Sequence, residues 1–211
     1  MEHATIRNAA YGMKEQILEC SFSTYEAHRT SQPFAFPENM YAALVAPTIE
    51  DSFVNDRGAP LPESPNIFVA EVKGTFAGYV QLSRFALDTP QTLPLCVISD
   101  IFVLPEFRKQ GLASQLLSHV KQLAIENRWS NLTATVWAPN QASARLFEKE
   151  GFTIESTCFR FGPTSQAIDL PPAPAQNGGI LSRILPFLKT AALYIVALQI
   201  AVALGISLSG S

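Results

Sequence analysis

The hydrophobic pattern changes its period between Leu95 and Asn127, and no other feature constrains the fold of this 211-residue chain as strongly. Leu95–Val103 is a short, mostly apolar run that reads as a strand. After Leu104-Pro-Glu-Phe-Arg-Lys-Gln-Gly111, the residues Leu112, Leu116, Val120, Leu123 and Ala124 recur at the spacing of one buried helix face. A strand that enters a helix through a short basic turn with a glycine makes an anion site. Free backbone N–H groups and the positive end of the helix dipole face the ligand, and Gly111 lets it come close. Arg108 and Lys109 add charge. The turn contains neither GxxxxGK before Ser or Thr nor GxGxxG, so it is not a nucleotide P-loop or a dinucleotide fingerprint.

The same reading predicts strands at Thr5–Asn8, Ile67–Val72, Phe76–Phe85, Leu95–Val103, Asn131–Trp137 and Phe152–Phe161. Helices are expected at Gly12–Arg29, Glu38–Asp51, Gly111–Asn127 and Gln141–Glu150. Lys73-Gly74-Thr75 is short enough for a tight hairpin, which makes the strands around it antiparallel neighbours. A strand and two helices, then three strands followed by alternating helices and strands, predict an α/β fold with a mixed sheet.

Charge and composition exclude several functions. Lys+Arg 15 against Asp+Glu 18 gives a net charge of −3, which argues against general binding to nucleic acid. Cys20, Cys96 and Cys158 are widely spaced and odd in number, so they form no disulfide framework and read as reduced, packed thiols. His3, His28 and His119 are too dispersed for a metal site, and no metal is expected. His119 reads as solvated, while His28 has a substrate contact as its alternative to packing. No GxSxG marks a serine nucleophile. The N-terminus has no basic region followed by an apolar one, so no signal peptide is expected.

Two stretches together suggest a family. Ile98-Ser-Asp-Ile-Phe-Val-Leu-Pro-Glu-Phe-Arg-Lys-Gln-Gly-Leu-Ala113 resembles the acetyl-CoA motif of the GNAT superfamily of N-acetyltransferases. Downstream, Asn140-Gln-Ala-Ser-Ala-Arg-Leu-Phe-Glu-Lys-Glu-Gly-Phe152 resembles its second hallmark, N-x-x-A-x-x-L-Y-E-K-x-G-F. The resemblance covers roughly residues 4–162. It implies a mixed, mostly antiparallel sheet with a splayed pair of strands and flanking helices. It also implies transfer of an acetyl group from acetyl-CoA to a primary amine of a small molecule or protein.

By that resemblance, Arg108, Lys109, Gln110, Gly111, Leu112, Ala113 and Ser114 wrap the pyrophosphate. The strand end Ile101-Phe102-Val103 borders the slot for the pantetheine arm, and a backbone amide there polarises the thioester carbonyl. Asn140 corresponds to a cofactor-arm contact and also suits a helix cap.

An ammonium near pKa ~10.4 must lose a proton before it attacks, so a base or a water chain ending in one is required. The sequence departs from the pattern here. Phe147 stands where the family carries an acidic tyrosine, and Thr133-Ala-Thr-Val-Trp137 carries no glutamate base. Asp100 is the best remaining candidate base, with Glu71 behind it. Asp100 has two alternatives, a counter-ion for the amine or a loop cap. A membrane-tethered acyl-CoA sensor or scaffold without catalysis is the rival function.

Beyond the domain 1–162, residues 163–180 are rich in proline, Gln/Asn and glycine and read as a linker. Within 181–211, Thr190–Leu208 runs for 19 residues with no charge, about the length that crosses a ~30 Å hydrocarbon core. Arg183 and Lys189 precede it. A membrane anchor with the catalytic domain in the cytoplasm is therefore expected, and a buried helix at a homodimer interface is the alternative.

Overall fold

The computed structural model describes residues 4–157 apart from 34, 56, 62, 86–94 and 130. The linker, the apolar tail and Cys158 lie outside the described residues. In chain order the elements are β1 (Thr5–Ala10), α1 (Lys14–Ser31), α2 (Ala46–Asp51), β2 (Glu63–Val72), β3 (Thr75–Phe85), β4 (Leu95–Val103), α3 (Leu112–Glu126), β5 (Asn131–Ala134) and α4 (Gln141–Lys149). They build one sheet in the order β1-β2-β3-β4-β5, antiparallel except for the parallel β4–β5 pair. The expected α/β fold with a mixed sheet is present.

Side-chain alternation divides the core between the two faces of this sheet. Phe68, Ala70, Val80, Leu82, Cys96 and Ile98 meet Leu116, Leu117 and Val120 of α3 and Phe147 of α4. Ile67, Val69, Phe76 and Tyr79 meet Ile17 and Cys20 of α1 together with Ile49 and Phe53. Of the predicted helix face, Leu112, Leu116 and Val120 are buried and Leu123 and Ala124 half-buried, with Leu117 buried beside them. Cys20 and Cys96 are both buried in the core, as expected for small apolar groups. The hairpin joining β2 and β3 turns on Lys73 and Gly74, both at positive φ (53° and 79°), the geometry that matches strand twist.

Two bulges re-aim the strands. Between the pairs Gln81–Asp100 and Leu82–Ile98, β4 carries one extra residue, Ser99. Consequently Ile98 and Ile101, three positions apart, both pack on the α3 side. Ala77 is the corresponding extra residue in β3. Beside it, Gly78 faces Val103, and a Cβ there would stand 2.3 Å from the Phe102 carbonyl oxygen.

Three expected elements come out differently. The strand Asn131–Trp137 ends at Ala134, because the following residues leave β4 and Trp137 packs edge-on against Phe36, ring centroids 5.0 Å apart. The helix Glu38–Asp51 is a π-turn at Tyr41–Val45 followed by the short α2, since Pro47 supplies no N–H for a longer α-helical ladder. In the predicted strand Phe152–Phe161, the described part, Phe152–Thr157, pairs with no strand. Phe152 packs on Phe147 and Ile154 is exposed. No described helix is long and apolar enough to cross a membrane.

Gly78→Ala is expected to lower stability by about 1–3 kcal/mol in denaturant titration, because the obstacle is backbone and cannot rotate away. Gly12→Ala, with nothing within 4 Å, is the control and should cost little or nothing.

Candidate active site

The β4–β5 ladder runs from Leu95–Asn131 only as far as Ile98–Ala134. Beyond it, Asp100–Val103 keeps its β3 partners on one edge while β5 has turned away on the other. The sheet is therefore open beside the end of β4, where residues 101–103 lie half-buried.

At the mouth of this opening the chain turns through Pro105–Phe107 into α3. Gly111, at φ 81°, precedes the helix, and no side chain caps its first turn. The first-turn N–H groups have no intrahelical partner by geometry. Lys109 also lies at positive φ (61°), so Gln110 is bracketed by two left-handed residues. Such alternation turns successive N–H groups toward one point and makes an anion nest. Arg108 folds back over β4, donating from Nε to the Val103 carbonyl (2.9 Å) with its guanidinium 5.6 Å from the Phe102 ring centroid. Leu112 is buried and anchors the turn. Ala113 and Ser114 are half-buried, and the Ser114 side chain bonds Glu150. The backbone amides are thus what this turn offers to an anion.

Asn140 accepts a hydrogen bond from the Ser143 N–H (3.1 Å) and caps α4. Its amide NH₂ is not used by that bond. Phe147 is buried and packs edge-to-face on Phe152 (5.1 Å) within the α3-side core.

The two candidate carboxylates have opposite environments. Glu71 is gripped by Arg7 through Nε (3.0 Å) and Nη2 (2.9 Å), which holds its carboxyl below the usual range. A carboxylate so paired is a poor proton acceptor. In the β3 ladder Glu71 lies opposite Phe76, while Asp100 lies opposite Gln81, so the two do not share a site. Asp100 points to the α1 side of the sheet, where its carboxylate accepts a hydrogen bond from the Tyr79 hydroxyl. Burial raises Asp100 from the usual aspartate value to about 6, against the bonds from Tyr79 and the Ile101 backbone.

Tyr79 is fully buried and Ser21 bonds it in turn, while Ser21 also bonds Tyr41. Tyr41 donates to the Leu18 carbonyl (2.7 Å). Cys20, pushed up to about 11 chiefly by burial, is the other titratable group facing Asp100 from α1. The tyrosines and Ser21 are absent from the reading of the sequence. Simple alternation from Phe76 would have turned Tyr79 away from the α1 face, and the bulge at Ala77 puts it there; Ser21 and Tyr41 come from distant segments.

His28 stacks on Phe36 at 5.0 Å, and burial lowers its pKa. It is part of the packing that joins α1 to Trp137. His119 packs against Phe68 (5.0 Å) and is half-buried, in contrast to the solvated position expected. Among the described residues no cluster of His, Cys, Asp and Glu could hold a metal.

A mixed sheet opened beside its one parallel strand pair, with an anion nest at the mouth of the opening, defines the class of protein. The profile of the acetyltransferase (GNAT) family matches residues 22–152, more than half of the chain, and the chain belongs to that family. An uncharacterized N-acetyltransferase, YhfO of Bacillus subtilis (strain 168), is 30% identical over 86 residues, 41% of this chain and 57% of that protein. The chain thus spans little more than half the length of the curated relative it matches.

Among solved structures, the aminoglycoside N-acetyltransferase AAC(6')-Iy in complex with CoA superposes with a TM-score of 0.53 at 19% identity. The match covers 76% of this chain and 95% of that one. A ribosomal-protein-alanine N-acetyltransferase from Brucella melitensis biovar Abortus 2308 gives 0.50 at 18% identity, covering 76% and 99%. At these identities the likeness is one of fold.

The raised Asp100 carboxyl has a consequence for stability. The unfolded chain ionises near pH ~3.9 and the folded one near 6, so stability falls as pH rises through this window and stays lower above it. Asp100→Asn is therefore expected to be more stable than wild type by about 2–3 kcal/mol at pH 8. The difference should vanish near pH 4, as followed by denaturant melts at both values. An equal or lower stability at pH 8 would contradict the assignment.

Proposed function

We propose that the protein is an acetyl-CoA-dependent N-acetyltransferase that acetylates a primary amine by direct attack in a ternary complex. The observation that carries this reading is the ending of the β4–β5 ladder at Ile98–Ala134, on the strand that leads into the uncapped N-terminus of α3. In this reading Arg108 and Lys109 supply charge, and the amides of Gln110, Gly111, Leu112, Ala113 and Ser114 hold the pyrophosphate. The free edge of Ile101, Phe102 and Val103 pairs with the pantetheine arm as an added strand would. An amide at Val103 donates to the thioester carbonyl as negative charge develops there. The NH₂ of Asn140 reaches the arm while its carbonyl keeps the helix cap, and Phe147 backs the slot from within the core.

Asp100 takes the proton that the acceptor amine loses. The C–N bond forms as the C–S bond breaks, and the thiolate leaves with its electron pair. Phe147 has no proton to give, and none is required of it, because a thiol of pKa near ~8.5 is a tolerable leaving group. Glu71, neutralised by Arg7, has no part in the step.

The same proposal includes a membrane-associated localisation. Its support is the uncharged run Thr190–Leu208 behind the 163–180 linker, with the catalytic domain on the cytoplasmic side. A full-length protein that stays monomeric and in solution without detergent would remove the anchor and the tail-mediated homodimer together.

Two measurements test the catalytic reading. Isothermal calorimetry should register acetyl-CoA binding to the full chain. In an acetyl-transfer assay, kcat/KM should climb with pH to a break near 6, where Asp100 ionises, and Asp100→Asn should cut it by about 10²–10⁴-fold. Acetyl-CoA heat without transfer to any amine of a panel, unaltered in Asp100→Asn, would favour the sensor, for which Phe147 is the argument.

A further inference from the structure

We propose that the acceptor is a small hydrophilic diamine, held in a polar cleft between α2 and strands β2 and β3. This rests on the acetyltransferase reading and names the substrate class of that site. The cleft has a volume of about 300 Å³, at the small end for ligand sites, and its walls include Thr48, Asp51, Ser52, Asn66, Gln81 and Ser83.

Three of its polar residues, Thr48, Asp51 and Ser52, offer acceptors. The Thr48 hydroxyl already donates to the Val45 carbonyl (2.7 Å) and that of Ser52 to the Thr48 carbonyl (2.9 Å), so what each has left is lone pairs. Asp51 is an exposed carboxylate with no ion pair to a described residue, and among the described residues no Lys or Arg lines the cleft. Gln81 is 7% exposed, and its amide makes no hydrogen bond to another described residue. That amide belongs to the polar lining of the cleft, where a bound ligand can take the place of water as its partner. Facing this array, an ammonium group is favoured over an apolar or anionic one.

The cleft adjoins the candidate base. Gln81 pairs directly with Asp100 in the β3–β4 ladder, and directly opposed side chains project from the same face with Cβ atoms about 5 Å apart. Next along the same face, the Ser83 and Ser99 hydroxyls lie 2.6 Å apart. A diamine in this cleft presents one nitrogen toward Asp100 and the other toward Asp51.

The test compares 1,4-diaminobutane with n-butylamine on the full chain. Acetyl transfer should show a kcat/KM ratio of about two- to fivefold in favour of the diamine, the size expected of one exposed ion pair. Asp51→Asn and Gln81→Leu, checked for unchanged melting temperature, should each lower that ratio toward one. Active wild type with equal or reversed preference, or a preference that survives in Asp51→Asn, overturns the inference and leaves the acetyltransferase reading standing. Should no amine be acetylated, calorimetry with 1,4-diaminobutane alone decides. Heat in wild type that is lost in Asp51→Asn supports the diamine site, and no heat in either overturns it.

Discussion

The parting of β5 from β4 after four residue pairs is the constraint on which the rest depends. A parallel ladder that continued would consume the backbone edge of Ser99–Val103 and close the sheet. Two features hold it open. The bulge at Ser99 re-aims the second half of β4. On the β5 side, Trp137 is captured by Phe36, which itself stacks with His28 and packs against Tyr25. Burial of these rings favours the departing path, and in exchange several backbone polar groups lack a strand partner. Such groups are costly to leave unmet, so an opening of this kind suits a ligand that brings amides of its own.

The second constraint is electrostatic. A carboxylate enclosed between a sheet and a helix costs stability unless it is hydrogen-bonded or protonated. At Asp100, burial prevails over the Tyr79 hydrogen bond, so the group titrates close to neutrality. Glu71 is the opposite case, its charge answered by a bidentate arginine. One sheet face thus carries a carboxylate suited to proton transfer and another suited to holding two strands together. The tension between stability and reactivity at Asp100 is of the kind found where a site is kept for use.

Much of this was legible from the residues in order. The switch of period at Gly111 located β4, the turn and α3 with little error, because a short apolar run and a one-faced helical stripe leave different patterns. The two-residue turn at Lys73-Gly74 gave the antiparallel pair directly. Asp100 and Glu71 have opposite surroundings, and the arginine from β1 that pairs with Glu71 was not visible in a linear reading. What escaped depends on long-range registry. Bulges at Ala77 and Ser99 shift which side chains share a face, and no local signal marks them. Tyr79, Ser21, Tyr41 and Gln81 owe their importance to those shifts and to α1 and α2 crossing the sheet. The segment after Gly151 has a strand's composition, yet its described part found no partner.

Amide hydrogen exchange of the full chain with and without acetyl-CoA tests the central claim most directly. The account predicts slowed exchange in two separated segments, Gln110–Ser114 at the mouth and Ser99–Val103 along the open edge, with the other strands of the sheet little changed. Unaltered exchange in both, or protection confined to elements far from the gap, would contradict it.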